Sequence, residues 1–151
     1  MRKHSKYRPY RVDPTAWQRA LSMQHEMDDD QLLDLGLAIH NSIERMRLGM
    51  GVELDFHTIA ALVNVSLVLC ERGVGPEGMG CVQAAQDALV EILERQRRTG
   101  KWGFSGPEMQ AINDCAHLHE QQIAIVPRRE CRDAMLEVRR RVDRGEVLNA
   151  A

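Results

Sequence analysis

Residues 59–70 read IAALVNVSLVLC, an apolar run interrupted only by Asn64 and Ser66. Coiled as a helix, the run is apolar around nearly its whole circumference, and a helix of that kind has to be buried. It is shorter than the roughly 20 residues that span a bilayer, so its cover must come from the same chain. The remaining sequence is therefore expected to supply a jacket of amphipathic helices.

That jacket is legible. Asp13-Pro14 reads as a helix start, and a short helix through Trp17 and Leu21 follows, anchored by the indole. The acidic run Asp28-Asp29-Asp30 suits a helix N-terminus, where unpaired amides and the dipole favour negative charge. Leu32, Leu35, Ile39, Ile43 and Met46 then recur at steps of three and four, one stripe of an amphipathic helix that Gly49 and Gly51 end. Asp55 is placed to cap the central helix, which runs from about Phe56 to Arg72. The turn-rich stretch 73–80, GVGPEGMG, connects it to a helix carrying Val82, Ala85, Leu89 and Ile92, with Arg95, Arg97 and Arg98 near its end and Gly100 as its stop. Ser105-Gly106-Pro107-Glu108 is a capping box. The helix it opens reaches about Ile125, where Val126-Pro127 breaks it. A last helix, with Cys131, Met135, Val138 and Val142 on its seam, extends to Arg144 before Gly145. Those last two helices are expected to form an antiparallel hairpin or a sharply kinked pair.

No segment alternates convincingly as a strand and no repeat divides the chain. With 151 residues, 44% of them apolar and 28% charged, one core of ordinary size is expected. The reading is all-α: a single five- or six-helix bundle over residues 13–145, preceded by an extended basic arm at 1–12 and followed by a tail at 146–151.

The eye-catching chemistry is Cys115-Ala116-His117-Leu118-His119-Glu120. On a helix, Cys115 and His119 share a face, whereas His117 points about 200° away from His119. The cluster is thus no compact ligand set, and zinc would need further donors such as Cys70 or Cys81. A buried, hydrogen-bonded His119 beside a buried thiol is the favoured expectation, with Cys115 and His119 kept as the candidate metal ligands. The other histidines stand in no catalytic spacing, and no phosphate-cradling loop, nucleophile elbow or dinucleotide fingerprint occurs. A binding role is expected over an enzymatic one, with no cofactor.

Two segments suit contact with a partner. In TGKWGFSGPE (99–108), Lys101, Trp102 and Phe104 precede a well-capped helix. The two rings either fold back to plug the end of the bundle or stand out as a protein-binding hot spot. The amino-terminal arm combines Arg2, Lys3, Lys6, Arg8 and Arg11 with Tyr7 and Tyr10, a composition suited to phosphate contacts and base stacking. The formal net charge of −2 argues against bulk electrostatic binding of nucleic acid. In the last helix, Glu130, Asp133, Glu137 and Asp143 are interleaved with the arginines, so ion pairs should neutralise much of its charge. The basic start leads into no apolar segment of signal-peptide length, and the four cysteines form no Cys-x-x-Cys pair. A reduced, cytoplasmic setting without membrane association is expected.

Lys6-Tyr7-Arg8-Pro9 and Thr99-Gly100-Lys101-Trp102-Gly103 through Gly106-Pro107-Glu108 resemble segments of short all-helical proteins of proteobacterial prophages and other mobile elements. That resemblance implies a helical fold and an accessory role exercised by binding; it assigns no catalytic residue. The leading expectation is an interaction protein that binds a macromolecule, first a protein through Lys101, Trp102 and Phe104. A nucleic acid held by the arm is the alternative, and a metal-stabilised protein is the second. A homo-oligomer is compatible with each.

Overall fold

The structure is a computed structural model that describes residues 12–22 and 26–146. Among these residues the chain folds as six α-helices: α1 (Ala16–Ser22), α2 (Asp29–Arg47), α3 (Glu53–Glu71), α4 (Met79–Thr99), α5 (Gly106–Ile125) and α6 (Arg128–Asp143). The expected all-α bundle is what forms.

α3 is its axis. Fourteen of its 19 residues are buried, including Phe56, Ile59, Leu62, Val63 and Leu69. Each large aliphatic side chain so buried contributes about 1.5–3 kcal/mol relative to exposure. By length and composition alone α3 could cross a membrane, but 78% of its most apolar window is buried inside the bundle. Helices α2, α4, α5 and α6 all pack on it. Their buried faces are the stripes read from sequence: Leu35, Ile39, Ile43 and Met46 on α2, and Val82, Ala85, Leu89 and Ile92 on α4.

The helix ends follow local chemistry. Asp28 caps α2, accepting from the Gln31 amide at 2.8 Å, while the Gln31 side chain accepts from the Asp28 amide at 2.9 Å. Ser105 and Glu108 make the expected capping box on α5. α4 ends where Gly100 takes a left-handed φ of 73° and donates to the Gln96 carbonyl.

Two expectations need correction. Asp55 is not the cap residue of α3: the helix starts at Glu53 with Val52 as cap, and Asp55 sits in the first turn, its carboxylate accepting from the Val52 amide at 2.9 Å. A buried demand from another helix, described below, sets its place. Of the hairpin or sharp kink expected of α5 and α6, the hairpin is not what forms. After Pro127, α6 turns away to pack chiefly on α3 and α1, where its seam of Cys131, Ala134, Met135 and Val138 is buried.

The charge on α6 is paired as expected. Glu137 receives Arg140 at 2.9 Å and Arg141 at 3.0 Å, and Arg141 also reaches Glu71 of α3 at 2.6 Å. Hydrogen bonding by Arg141, before any other cause, holds the Glu137 carboxyl below the usual range. Arg128 pairs with Asp29, and Arg139 donates to the Leu21 carbonyl, so α6 is tied to the first two helices as well.

Candidate functional site

The α2–α3 and α4–α5 connections lie side by side at one end of the bundle. Each is organised by the same device, an arginine near the end of one helix clamping a carboxylate in the first turn of the next. Arg45 donates to Asp55 at 3.0 Å and to the Met50 carbonyl at 2.7 Å, and Ser42 adds a bond to Asp55 at 3.0 Å. Arg95 grips Glu108 with both guanidinium nitrogens, one at 2.8 Å, and donates to the Gly103 carbonyl at 3.3 Å. The Ser105 amide donates to the same carboxylate at 2.7 Å. Asp55 and Glu108 are only 3% and 2% exposed, so their charges depend on these donors. Burial pushes the Glu108 carboxyl up, but the bonds from Arg95 and Ser105 outweigh it and hold the group below the usual carboxylate range.

An antiparallel β-bridge between Gly51 and Trp102 joins the two connections. A Cβ on Gly51 would stand 2.4 Å from Met46 Sδ and 3.2 Å from Trp102 Cβ, so a larger residue there would have to push Met46 and Trp102 aside. Trp102 is half-buried, its ring centroid 4.9 Å from that of Phe56, and Phe104 is half-buried against the same core. Lys101 is exposed. The aromatics thus fold back over the end of α3 while the lysine faces solvent.

What sequence reasoning missed lies across the bridge. Leu48, Met50 and Val52 are 54%, 56% and 47% exposed. Only seven large apolar side chains are exposed among the described residues, and three of them fall within five positions of the chain. The antiparallel bridge sets Val52 opposite Lys101 and Met50 opposite Gly103. The signal in sequence was the unusual Leu-Gly-Met-Gly-Val (48–52), apolar residues in a turn that polar ones would normally occupy.

The Cys115–His119 pair lies elsewhere, in the core between α5 and α3. His119 Nδ1 is 3.3 Å from Ser66 Oγ, and the imidazole stands 5.8 Å from the Trp17 ring. His117 is exposed and near Glu120, away from the pair. Among the described residues no three His, Cys, Asp or Glu side chains are grouped so as to hold a metal ion. Burial pushes the Cys115 thiol up to about 12 and the Cys131 thiol to about 11, which leaves both protonated and poor nucleophiles at neutral pH. The four cysteines are free thiols.

Burial also lowers His119 from 6.5 to about 4, so the folded protein holds it neutral. The unfolded chain takes up a proton that the folded one refuses between these two values. Stability from this residue is therefore complete above about pH 6.5 and is lost as pH falls toward 4, by about 3 kcal/mol at 1.36 kcal/mol per unit. In urea titrations from pH 7 to 4, His119→Asn should show a shallower decline than the parent protein. Equal slopes would contradict a neutral buried imidazole.

The basic arm, comprising Arg2, Lys3, Lys6, Tyr7, Arg8, Tyr10 and Arg11, lies outside the described residues. No family model, curated protein or solved structure matches the chain.

Proposed function

We propose that this chain is a helical interaction module that acts in the cytoplasm by binding a protein through the end of the bundle where 48–52 meets 101–104. One observation supports this reading above the others: Leu48, Met50 and Val52 are all exposed in the segment that the Gly51–Trp102 bridge joins to exposed Lys101 and half-buried Trp102 and Phe104. Apolar anchors bordered by charge are the usual anatomy of a protein contact. Arg97 and Arg98 end α4 just before Lys101, and both are exposed. A partner with apolar side chains and an acidic rim fits this surface best. The buried carboxylates serve the scaffold: each fixes a loop end, and neither is open to a substrate.

The test places a photo-crosslinking residue at Met50 and, as a control, at exposed Glu94 in living cells. Met50 should capture one protein that Glu94 does not. Leu48→Glu should abolish the capture without lowering Tm, because Leu48 is a solvent-facing side chain. A crosslink to a second copy makes the partner the protein itself. Equal capture from both positions, or capture of nucleic acid alone, refutes the reading.

A further inference from the structure

A second feature lies about 20 Å along the bundle from those loops, a dozen or more residues down α2 and α5. Between α2 and α5, with Met135 of α6 at the back, is a groove of about 290 Å³. Its walls are Leu32, Leu35, Ile39 and Ile123, and His119 lies on its floor. That volume stands at the lower end of the range for small-molecule pockets, and apolar walls with few polar groups are their usual composition.

Two details show that the space is built in. Gly36, in the interior of α2, lines the groove, and a Cβ added there would meet nothing within 4 Å. Glycine in a helix interior is destabilising relative to alanine, and no neighbouring atom here requires it. What its missing side chain provides is room. The second detail is His119. It is 5% exposed, Ser66 occupies its Nδ1, and its Nε2 has no hydrogen-bond partner among the described residues. That nitrogen is not sealed off from solvent, so it is a free polar point on an otherwise apolar lining, and a few polar groups so placed are what orient a ligand in such a pocket.

We propose that this groove binds a small, neutral aliphatic molecule carrying one hydroxyl group, its chain among the leucine and isoleucine side chains and its hydroxyl on His119 Nε2. A hydroxyl donates and accepts, so it serves the imidazole in either tautomer. An anion is excluded twice over. The apolar walls would not repay the desolvation of an ion, and Glu120, bonded to His40 at 2.8 Å across the mouth, repels an anion. The site is independent of the loop surface, and its failure would leave that reading intact.

The experiment follows the methyl resonances of Ile39 and Ile123 and the imidazole resonances of His119 while 1-hexanol is titrated into the full chain. Saturable shifts at one site are expected, with hexanoate at least tenfold weaker. Gly36→Leu fills the groove and raises helix propensity, so Tm should hold or rise while hexanol affinity drops at least tenfold. Ala124→Leu, at an exposed position on the groove wall, is the second block and should act likewise. Shifts that never saturate, hexanoate binding as tightly as hexanol, or affinity unchanged in both variants would overturn the proposal.

Discussion

Arg95→Met should destabilise the protein by about 3 kcal/mol at pH 7, the low end of the cost of stripping one partner from a buried ion pair. The low end applies because the Ser105 amide and the α5 N-terminus still serve the stranded Glu108 carboxylate. Methionine keeps the apolar stem, so packing changes little and the measured loss is chiefly electrostatic. The pH dependence identifies the cause. Glu108 is depressed in the folded protein, so the stability it contributes is present above the unfolded carboxylate value and disappears as pH falls through the folded one. Without Arg95 that contribution is smaller. The gap between parent and variant, read by urea denaturation, should therefore narrow steadily below about pH 5. A gap independent of pH would mean that the guanidinium acts through packing alone.

Trp17→Ala should cost about 3–5 kcal/mol, the range for deleting a large aromatic from a core. Trp17 is 1% exposed, and its indole N–H donates to the Leu35 carbonyl at 3.3 Å. α1 has only seven residues and is far too short to be stable by itself, so it depends on its packing, in which Trp17 is the largest buried side chain. Hydrogen exchange should show the α1 amides losing protection before those of α3 do. Trp102→Ala, at a half-buried ring, should cost distinctly less in the same denaturation assay. If the two substitutions prove equal, the burial difference between the tryptophans has been misjudged.

The contrast between those tryptophans shows what could be read in advance. Trp17, set on a capped helix start with Leu21 following at i+4, was recognisable as an anchor, and α3 announced its position through its composition. Ser105 and Glu108 revealed the start of α5 because a capping box is local. Long-range partners are not local, and they were the part that sequence could not supply. That Arg95 would reach Glu108, and Arg45 reach Asp55, depends on how two hairpins fold; thus Asp55 was misplaced as a cap although its role at a helix start was recognised. Gln122 is another case: nothing in its surroundings foretold that its amide would bond the Ser66 and Val74 carbonyls, at 3.2 and 2.9 Å, and pin the end of α3 to α5. At the candidate surface, Lys101 was legible as a contact candidate. Leu48, Met50 and Val52 were not, because an apolar side chain in a turn gives no local sign of whether it faces core or water.

The bridge between Gly51 and Trp102 bears on how such a surface would release what it holds. Two connections clasped through their backbones lose their freedom when the chain folds, so little ordering is left to be done at the moment of contact. Opening that clasp would leave encounter rates nearly unchanged and shorten the lifetime of the complex. Residence time, more than speed of capture, is what this small stitch would control in such a complex.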